Sequence, residues 1–414
     1  MSLFEDVFLM DFVKSRSAVL CRLDINSPID NQGKIIDITR FEKHSNTLNE
    51  LINNSNKIVL LAHQGRPNSK DFLDLSQHSQ ILSKVLNTHV KYIPDIVGPK
   101  ALEAIRSIKE GEVLLLDNVR FLPDEQSRRS IEGHANSVIV RALAKYFDYF
   151  ILDGFAVSHR YHASVVGFAT VIPSVMGRLM EHEVRNLSSY LEPDKKSIVI
   201  LGGAKVKDAV KYIEMLLRSG RVDKILLTGL VAFVFHIASG LRVDDKIMDR
   251  IRAEYSKSIP KIKELIETGN IELPVDYAFY QKGRIEVNVE KGDLIRDTPK
   301  DIGILTVSKY ADIINDYDVV FIRGPAGVIE DDNFRIGTIE LLRRVSSKRV
   351  NIVICGGHLA SVLSRTPINI DNCYISTGGG AALEFIARGT LAGIEALKLS
   401  KKLFRRQQNI YFRG

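Results

Sequence analysis

Short apolar runs alternate with longer polar or amphipathic stretches along most of the chain. In the first half, the runs that predict strands lie at 17–24, 57–62, 90–93, 113–116 and 149–152, and a helical pattern covers about 75–87. In the second half they lie at 198–201, 224–227, 318–323, 351–355 and 373–377, and 273–277 indicates a short strand or turn. Strands separated by helical patterns predict parallel sheets with helices on both faces. The predicted fold class is α/β, with two doubly wound, Rossmann-like sheets.

The run 198–201 is followed at once by Gly202 and Gly203, and then by a helix-compatible stretch. This pattern predicts a buried strand, a tight turn and a helix, with Lys205 at or just inside the first helical turn. Backbone N–H groups and the positive end of the helix dipole favour an anion at such a place. Lys205 is therefore predicted to serve a phosphate. The alternative is a solvent-exposed lysine at an ordinary strand-to-helix turn.

The predicted strand ends of the first half carry basic and polar side chains. These are Asp24, Asn26, Arg40, His63, Arg66, Arg120, His159, Arg160 and His162, which fall in the loops after strands or just beyond. Ligands of doubly wound sheets bind at the carboxyl ends of the strands, where such side chains meet. Guanidinium groups hold carboxylate and phosphate with paired hydrogen bonds. One such residue is ordinarily a surface group or a hydrogen-bonded filler, but the repetition predicts a site for a small, highly anionic molecule.

Glycine-rich breaks follow the predicted strands of the second half. They stand at 202–203, 229, 324–327, 356–357 and 378–380. Because glycine lets the backbone approach a ligand closely, the breaks predict a ligand groove, although a triple glycine alone could be a plain tight turn. The sequence has neither a GxxxxGK[ST] loop nor a GxGxxG fingerprint. The P-loop and nicotinamide-dehydrogenase interpretations therefore lose their main support.

The length of the chain indicates more than one domain. At 414 residues it is too long for one core, which predicts two domains of about 200 residues each. A polar-rich helical stretch from Glu181 to Leu191 stops at Glu192, Pro193 and Asp194, and predicts a helix between the domains. An ordinary surface helix of the first domain is the alternative. The predicted division is 1–180, a hinge helix at 181–193, a second domain at 194–390 and a C-terminal segment at 391–414.

Composition and charge limit the class of protein and of ligand, but they do not identify either. Hydrophobic residues make up 45% and charged residues 26%, and 57 Lys+Arg against 50 Asp+Glu leave a net charge of +7. That excess suits anionic metabolites as well as nucleic acid. Cys21, Cys355 and Cys373 lie far apart in or beside apolar runs, which favours buried thiols in a reducing cytosol. Without a signal-peptide core or an apolar run of about 18 residues, we expect a cytoplasmic protein without a membrane partner.

Several motifs in combination resemble those of phosphoglycerate kinases. In the first half they are RLDINSP at 22–28, HQGRP at 63–67, NVRF at 118–121 and HRYHAS at 159–164. In the second half they are GGAK at 202–205, GPAGVIE at 324–330, GG at 356–357 and STGGGA at 376–381. The stretch 391–397 resembles the C-terminal segment of the family, where the chain packs back near the hinge. The matches keep the order of the family from about residue 18 to 397.

The resemblance implies a phosphotransferase with a carboxyl group as acceptor, which exchanges a phosphoryl group between 1,3-bisphosphoglycerate with ADP and 3-phosphoglycerate with ATP, using Mg²⁺. By motif, the triose-binding residues would be Asp24, Asn26, Arg40, His63, Arg66, Arg120 and Arg160. The nucleotide-binding residues would be Gly203, Lys205, Gly229, Gly303, Glu330, Gly357, His358 and Gly378, with Glu330 at the ribose hydroxyls. Arg40, Lys205, Gly379 and Gly380 would serve the transferring group. Hinge closure would bring the two ligands together.

Three positions depart from the family pattern. His358 stands where the family usually has an acidic magnesium ligand, so the protein ligands of the metal are unknown from sequence, and Leu359 replaces a hydroxyl residue. Ala209 replaces a second lysine four residues after Lys205, and Lys207 cannot simply substitute because i+2 lies on another face of a helix. Arg323, just before Gly324, is also unusual, and its positive charge is a candidate to compensate for these changes.

Two alternatives follow from these departures and from the charge. The first is a binding or regulatory protein on the same fold, silenced by the changes at His358, Leu359 and Ala209. The second is nucleic-acid binding, suggested by a sequence pI of about 9.1 and the basic tail at 401–406. No RNA- or DNA-binding module is recognisable in the sequence, so we expect no nucleic-acid partner. We expect a monomer, with a dimer as the other possibility.

Overall fold

The computed structural model describes residues 3–192, 194–364 and 372–411. The chain forms two compact units. The first consists of Met1–Arg185 together with Thr390–Gly414, and the second of Asn186–Gly389. The division therefore falls inside the predicted hinge helix, and the last residues of the chain join the first unit.

A seven-stranded sheet, in which all neighbouring strands are parallel, forms the centre of the first unit. Its strands are β1 (Phe8–Leu9), β2 (Ala18–Arg22), β3 (Lys57–Leu61), β4 (Val90–Ile93), β5 (Val113–Leu116), β6 (Tyr149–Leu152) and β7 (Ser174–Met176), in the spatial order β1-β7-β6-β2-β3-β5-β4. The winding direction reverses between β2 and β6. The carboxyl ends of these two strands are therefore the place where a doubly wound sheet binds its ligand.

Helices connect these strands and cover the sheet. They are α1 (Thr39–Lys43), α2 (Ser45–Asn53), α3 (Ser76–Leu86), α4 (Pro99–Ser107), α5 (Val138–Leu143), α6 (Ala163–Val166) and α7 (Arg178–Ser189). Val19 and Cys21 of β2 lie in one buried apolar cluster with Ile58 of β3 and Leu82 of α3. Burial of these side chains fixes which residues at the strand ends point into the loops.

The second unit has a six-stranded sheet whose neighbouring strands are also all parallel. Its strands are β8 (Ser197–Leu201), β9 (Lys224–Leu227), β10 (Ile271–Glu272), β14 (Val319–Arg323), β15 (Asn351–Cys355) and β16 (Cys373–Ser376), in the order β10-β9-β8-β14-β15-β16. Here the winding reverses between β8 and β14. The prediction of two doubly wound parallel sheets is confirmed.

Strands β11 (Asp276–Tyr280), β12 (Arg284–Asn288) and β13 (Asp301–Ile302) form a separate antiparallel sheet in the second unit. The sequence prediction had only a short strand or turn at 273–277. The strand begins at Asp276 and continues to Tyr280, because its partner β12 supplies a full antiparallel ladder.

The helices of the second unit and the C-terminal helix complete the fold. They are α8 (Val206–Ser219), α9 (Gly229–Ala238), α10 (Asp245–Tyr255), α11 (Ile259–Glu267), α12 (Ile304–Ile314), α13 (Ile336–Ser346), α14 (Gly357–Ser364), α15 (Gly380–Arg388) and α16 (Ala392–Tyr411). Within the described ranges, no helix combines the length and apolar character needed to cross a membrane. The three cysteines all fall within these ranges and none is in a disulfide.

Helix α7 differs in its bounds from the predicted hinge helix. It begins at Arg178, before the predicted start at 181, and ends at Ser189. Pro193, the predicted stop, lies outside the described residues. The early start reflects two side-chain acceptors, since Thr47 Oγ1 accepts the N–H of Arg178 at 3.0 Å and Asp153 Oδ1 accepts that of Leu179 at 2.9 Å.

Candidate functional site

The carboxyl ends of β2, β3 and β6 bring several of the predicted residues together in the first unit. Asp24 lies two residues after β2, is almost completely buried and forms an ion pair with Arg40 of α1. Nδ1 of His63, just after β3, lies 3.9 Å from the second carboxylate oxygen of Asp24. The Asp24 carboxylate therefore holds Arg40 at the edge of the site through Oδ2, while Oδ1 has no hydrogen-bond partner within the described part of the chain.

The loop after β3 is fixed by hydrogen bonds to its backbone. Gly65 donates its N–H to Oδ1 of Asn26 at 2.8 Å, and its carbonyl accepts a bond from the Arg120 guanidinium. Gly65 has a φ of +67°, and a Cβ at this position would lie 2.2 Å from the carbonyl oxygen of Asp71. Only glycine fits there. Arg66, the next residue, has an exposed side chain, and its N–H donates to Ser69 Oγ at 3.0 Å.

Positive charge accumulates at this end of the sheet. Burial, followed by the charges of Arg22, Arg120 and Arg160, lowers the pKa of His63 well below its ordinary value. Burial and the Arg160, Arg120 and Arg22 charges lower the pKa of His162 to about 3. Both histidines are therefore neutral at neutral pH, because protonation would add a cation to a crowded set.

The arginines also act on one another. Burial and the charges of Arg160 and Arg22 lower the pKa of Arg120 to about 10. Burial would raise the pKa of Asp24, but Arg40, Arg22 and Arg160 outweigh it, so that the pKa is lowered and the carboxylate stays ionised. The arginines of this set are Arg22, Arg40, Arg120 and Arg160, against the carboxyl groups of Asp24 and Glu125. Such a surplus favours a ligand with several negative charges.

Arg22 is part of this set, and the sequence prediction of site residues did not include it. It is the last residue of β2 and is 1% exposed. Its guanidinium donates to Ser164 Oγ at 3.0 Å and to the Leu61 carbonyl at 3.3 Å, and lies 3.1 Å from His63 Nδ1. The buried Arg22 guanidinium therefore orients the His63 ring through Nδ1. The only sequence signal was an arginine that ends an otherwise apolar run.

Glu125 balances part of the Arg22 charge. It is fully buried and accepts bonds from the N–H of Ser164 at 2.9 Å and from its hydroxyl at 2.6 Å. Burial raises the pKa of Glu125 to about 7, although the Arg22 charge and the Ser164 bonds oppose the shift. Glu125 was also missed, because it lies beyond β5 and the NVRF motif at 118–121 and belongs to no motif itself.

A second buried layer supports Asp24 from below. The N–H of Asp24 donates to Nε2 of His44 at 3.0 Å, and Nδ1 of His44 lies 2.6 Å from Oδ2 of Asp153. Since Nε2 accepts, the proton sits on Nδ1 and is donated to the carboxylate. Oδ1 of Asp153 accepts bonds from Thr47 Oγ1 and from the N–H of Leu179, each at 2.9 Å. Asp153 thereby joins the site loop to the first turn of α7.

In the second unit, the loops after β8, β9 and β14 lie in direct backbone contact. The N–H of Gly203 donates to the Pro325 carbonyl at 2.9 Å. A Cβ on Gly324 would lie 2.4 Å from the carbonyl oxygen of Gly202, and a Cβ on Gly229 would lie 2.8 Å from the Gly203 nitrogen. These glycines therefore form a floor without side chains at the β8–β14 switch point, where a flat ligand can approach the backbone.

Lys205 stands at the beginning of α8, one residue before the helix, and its carbonyl accepts the N–H of Ala209 at 3.0 Å. Its side chain is exposed. This agrees with the predicted place at the start of the helix. Ala209 is buried and Lys207 is exposed, so the two positions do face different surroundings.

The glycines after β15 and β16 lie close together. A Cβ on Gly356 would lie 3.8 Å from the Cα of Gly379, and Gly378 donates its N–H to Ser376 Oγ at 3.0 Å. Gly379 and Gly380 begin helix α15, and Gly357 begins α14. The helix dipoles favour anions at both places. The side chain of His358 lies outside the described part of the structure.

Gly303 lies against the buried carboxylate of Asp276, which leaves no room for a side chain. A Cβ there would lie 2.1 Å from Oδ2 of Asp276, which caps α12 by accepting the N–H groups of Leu305 and Thr306 at 3.1 and 2.8 Å. The N–H of Ile304 donates to Glu286. The first N–H groups of α12 are thus already paired within the protein. Glu330 lies exposed in the turn that follows Gly327.

Among the described residues, no group of three or more His, Cys, Asp or Glu side chains is arranged to hold a metal ion.

Together the units define a two-part α/β enzyme with a cationic site on one sheet and a glycine floor on the other. The sequence model of the family described as phosphoglycerate kinase matches residues 9–388. The phosphoglycerate kinase of Saccharolobus solfataricus is 41% identical over 388 residues, covering 92% of this chain and 94% of that protein. That of Methanothermus fervidus is 40% identical over 406 residues, covering 97% and 98%.

A solved structure agrees with these sequence relatives. The crystal structure of phosphoglycerate kinase from Pyrococcus horikoshii matches with a TM-score of 0.86 and 36% identity, covering 96% of this chain and all of that one. The chain belongs to the phosphoglycerate kinase family. It is a phosphotransferase with a carboxyl group as acceptor.

Proposed function

We propose that the first unit binds the triose and the second binds the nucleotide in the reversible reaction of 1,3-bisphosphoglycerate with ADP to give 3-phosphoglycerate and ATP. The observation that carries this division is the set of arginines at the carboxyl ends of the first sheet, where Arg22 lies 3.1 Å from His63 Nδ1, Arg40 pairs with Asp24 and Arg120 donates to the Gly65 carbonyl. Burial, and after it the arginine charges, lowers the pKa values of His63, His162 and Arg120. A triose that bears a phosphate and a carboxylate relieves this repulsion.

The proposed triose-binding residues are those predicted from the sequence, and the buried Arg22 supports them through its contact with His63. They are Asp24, Asn26, Arg40, His63, Arg66, Arg120 and Arg160. The arginines contribute paired N–H donors to phosphate and carboxylate oxygens, and His63 contributes a directional hydrogen bond. Asp24 and Asn26 act mainly by holding Arg40 and the Gly65 loop, since their oxygens are bonded to those groups.

The proposed nucleotide-binding residues lie on the second unit. They are Gly203, Lys205, Gly229, Gly303, Glu330, Gly357, His358 and Gly378. The glycines leave room for the base and phosphates, and Glu330 is proposed to hold the ribose hydroxyls. The side chain of Lys205 is exposed and the residue stands at a helix start, which suits a phosphoryl group.

The chemistry requires placement rather than a covalent intermediate. In the direction of ATP use, a carboxylate oxygen of 3-phosphoglycerate attacks the γ-phosphorus, and the bond from that phosphorus to the leaving oxygen of ADP breaks. We propose that Arg40 and Lys205 balance the charge of the transferring group and that Gly379 and Gly380 line its path. Magnesium, carried by the nucleotide phosphates, supplies further charge neutralisation. Since the proposed ligand sites belong to different units, we propose that transfer depends on hinge closure.

Turnover of the Lys205→Ala variant tests the assignment. In a coupled assay with 3-phosphoglycerate, ATP and Mg²⁺, the wild-type chain is expected to turn over. Lys205→Ala should lose about a hundredfold or more in kcat, because a charge acting on the transferring group is removed. Its affinity for 3-phosphoglycerate, measured by calorimetry, should change little.

The matched control is Lys207→Ala, which removes an exposed lysine two residues further on. It should keep near-normal turnover. Near-normal turnover of Lys205→Ala would refute the role of Lys205. A wild-type chain that binds both substrates without turnover would instead identify a silenced binding protein.

We further propose that the protein acts in the cytoplasm, as a monomer and without a nucleic-acid or membrane partner. Buried thiols at Cys21 and Cys355 suit a reducing compartment. Retention on nucleic acid that falls with salt would contradict this proposal.

A further inference from the structure

Arg323 occupies the switch point of the second sheet, in the glycine floor. It is the last residue of β14, and its carbonyl accepts the N–H of Gly202 at 2.8 Å. The next residue, Gly324, has a φ of +77° and turns the chain away. The backbone of Arg323 is therefore fixed by the sheet and by the loop after β8, and its side chain leaves from a rigid base.

The guanidinium of Arg323 is only partly satisfied. Its Nη1 is buried and has no hydrogen-bond partner within the described part of the chain. Its Cζ lies 4.6 Å from the centroid of the Tyr212 ring of α8, in a cation–π contact. Stacking on an aromatic face holds the guanidinium plane but does not satisfy its N–H groups. A buried donor in this state requires an acceptor.

The unsatisfied nitrogen lies beside the start of α15. A Cβ on Gly380 would lie 3.3 Å from Nη1 of Arg323 and 2.4 Å from the hydroxyl oxygen of Tyr212. Gly380 is the first residue of α15, where the helix dipole adds positive potential. The absence of a side chain at Gly380 is what admits both Tyr212 and the guanidinium. An acceptor for Nη1 of Arg323 would therefore lie where both the guanidinium charge and the positive end of the α15 dipole favour an anionic oxygen.

We propose that Arg323 is a phosphate-binding residue, whose guanidinium donates to a phosphate oxygen of ADP or ATP while Tyr212 holds its plane. This inference rests on the proposed nucleotide site and adds a residue to it. It also supplies a cation to a site where α8 carries Ala209 one turn after Lys205. The acceptor is expected to be a phosphate rather than the ribose, because a charged oxygen matches the guanidinium best.

The test measures binding of three ligands that differ in phosphate content. Arg323→Gln should weaken binding of ADP and ATP by about tenfold or more in calorimetry, because a charge-assisted bond is lost. Binding of adenosine should stay the same, since it carries no phosphate. Arg323→Lys, which keeps the charge but not the planar fork, should lose less than Arg323→Gln. Tyr212→Phe, which keeps the ring, should bind all three ligands as the wild type does.

The matched control is Arg343→Gln, which removes an exposed arginine paired with Glu340 on α13 of the same unit. It should leave all three affinities unchanged. Thermal unfolding of each variant reports whether it is folded, and Arg323→Lys keeps the test decisive if Arg323→Gln is not.

The outcomes separate this inference from the proposed function. Equal affinity of wild type and Arg323→Gln for ADP, or an equal loss for adenosine, would show that Arg323 is a structural residue and overturn the inference alone. If the wild-type chain binds neither ADP nor ATP, the nucleotide site itself is refuted. Loss for ADP and ATP with unchanged adenosine supports both.

Discussion

Individual buried charges organise the proposed triose site. Arg22 and Glu125 lie beneath the side chains that we propose to touch the ligand, and Ser164 is bonded to both. Burying charges is costly unless they are paired and hydrogen-bonded, as these are. Arg22, Glu125 and Ser164 therefore form a rigid buried base for the site, whereas the side chain of Arg66 is exposed.

Glu125 gives the first unit a dependence on pH that can be measured. Its pKa is raised in the folded protein to about 7, so folding favours the protonated form. Its stabilising contribution is complete below about pH 4, the range of an unfolded glutamate, and is lost as pH rises through 7. Between pH 5 and pH 8, wild type should lose up to about 3 kcal/mol relative to Glu125→Gln in chemical unfolding, since each pKa unit corresponds to about 1.4 kcal/mol.

The difference between the two proteins is the decisive quantity, because it removes the titration of every other group. Glu110→Gln, at an exposed glutamate of the same unit, is the control and should follow wild type at each pH. A constant difference between wild type and Glu125→Gln across this range would contradict the raised pKa.

Residues that follow a strand could be predicted from the sequence, and residues that support them could not. Asp24, His63 and Arg120 each come after an apolar run, so parallel pairing of the strands brings them together. His44 and Glu125 sit in stretches without such a marker. Their roles depend on contacts 20 and 39 residues away in sequence, which no local pattern contains.

Elements are joined by the buried bonds of Asp153. Its carboxylate accepts from His44, Thr47 and the N–H of Leu179, and Thr47 in turn accepts the N–H of Arg178. The start of α7 is thereby capped by the same group that supports Asp24 through His44. Movement of the helix and the shape of the triose site are expected to depend on each other.

Substitution of His44 tests this link between elements. His44→Leu removes the acceptor of the Asp24 N–H and the donor to Oδ2 of Asp153, which should cost about 2–4 kcal/mol of stability. KM for 3-phosphoglycerate should rise several-fold, while KM for ATP should stay near the wild-type value. His44→Gln can replace one of the two bonds and should restore part of the effect.

Equal changes in both KM values would contradict a role in positioning Asp24. A suitable control is His89→Leu, which alters an exposed histidine between α3 and β4, away from the carboxyl ends. It should leave both KM values unchanged.

The bounds of several apolar strands of four or five residues were predicted correctly. Strands of two residues, and a strand that alternates between polar and apolar residues, were not predicted. The predicted bounds 90–93, 113–116, 149–152, 224–227 and 351–355 agree with the structure. Strands β1 and β13 have only two residues each and are defined by their neighbours rather than by their own sequence. In β12, residues alternate between polar and apolar in Arg284–Asn288, a period of two that could have indicated a strand with one solvent-facing side.

At the scale of the whole molecule, the first unit is completed by the end of the chain. In α16, Ser400 accepts the N–H of Ser174 at 2.8 Å and Gly393 donates to the Ser158 carbonyl at 2.7 Å. Lys401 donates to the Val7 carbonyl at 2.9 Å, and Phe404 packs on the apolar cluster of the sheet. The helix is therefore part of the first unit despite its place in sequence.

Deletion of 390–414 should weaken the first unit selectively. Ile394 and Leu397 are buried, and the loss of these two side chains alone should lower the free energy of unfolding of the first unit by about 3–6 kcal/mol. The reason is that the apolar surface they cover becomes exposed to water. Amide hydrogen exchange should then accelerate in β2 and β6 much more than in β8 and β14. Equal acceleration in both sheets would contradict the assignment of α16 to the first unit.

The return of α16 also has a consequence for biosynthesis. Roughly 200 residues separate Ser189 from Ala392, and at about 5–20 residues per second the ribosome needs about 10–40 s to make them. During that time the earliest-made half of the protein is exposed to chaperones without its last helix, while the later-made half can finish folding first.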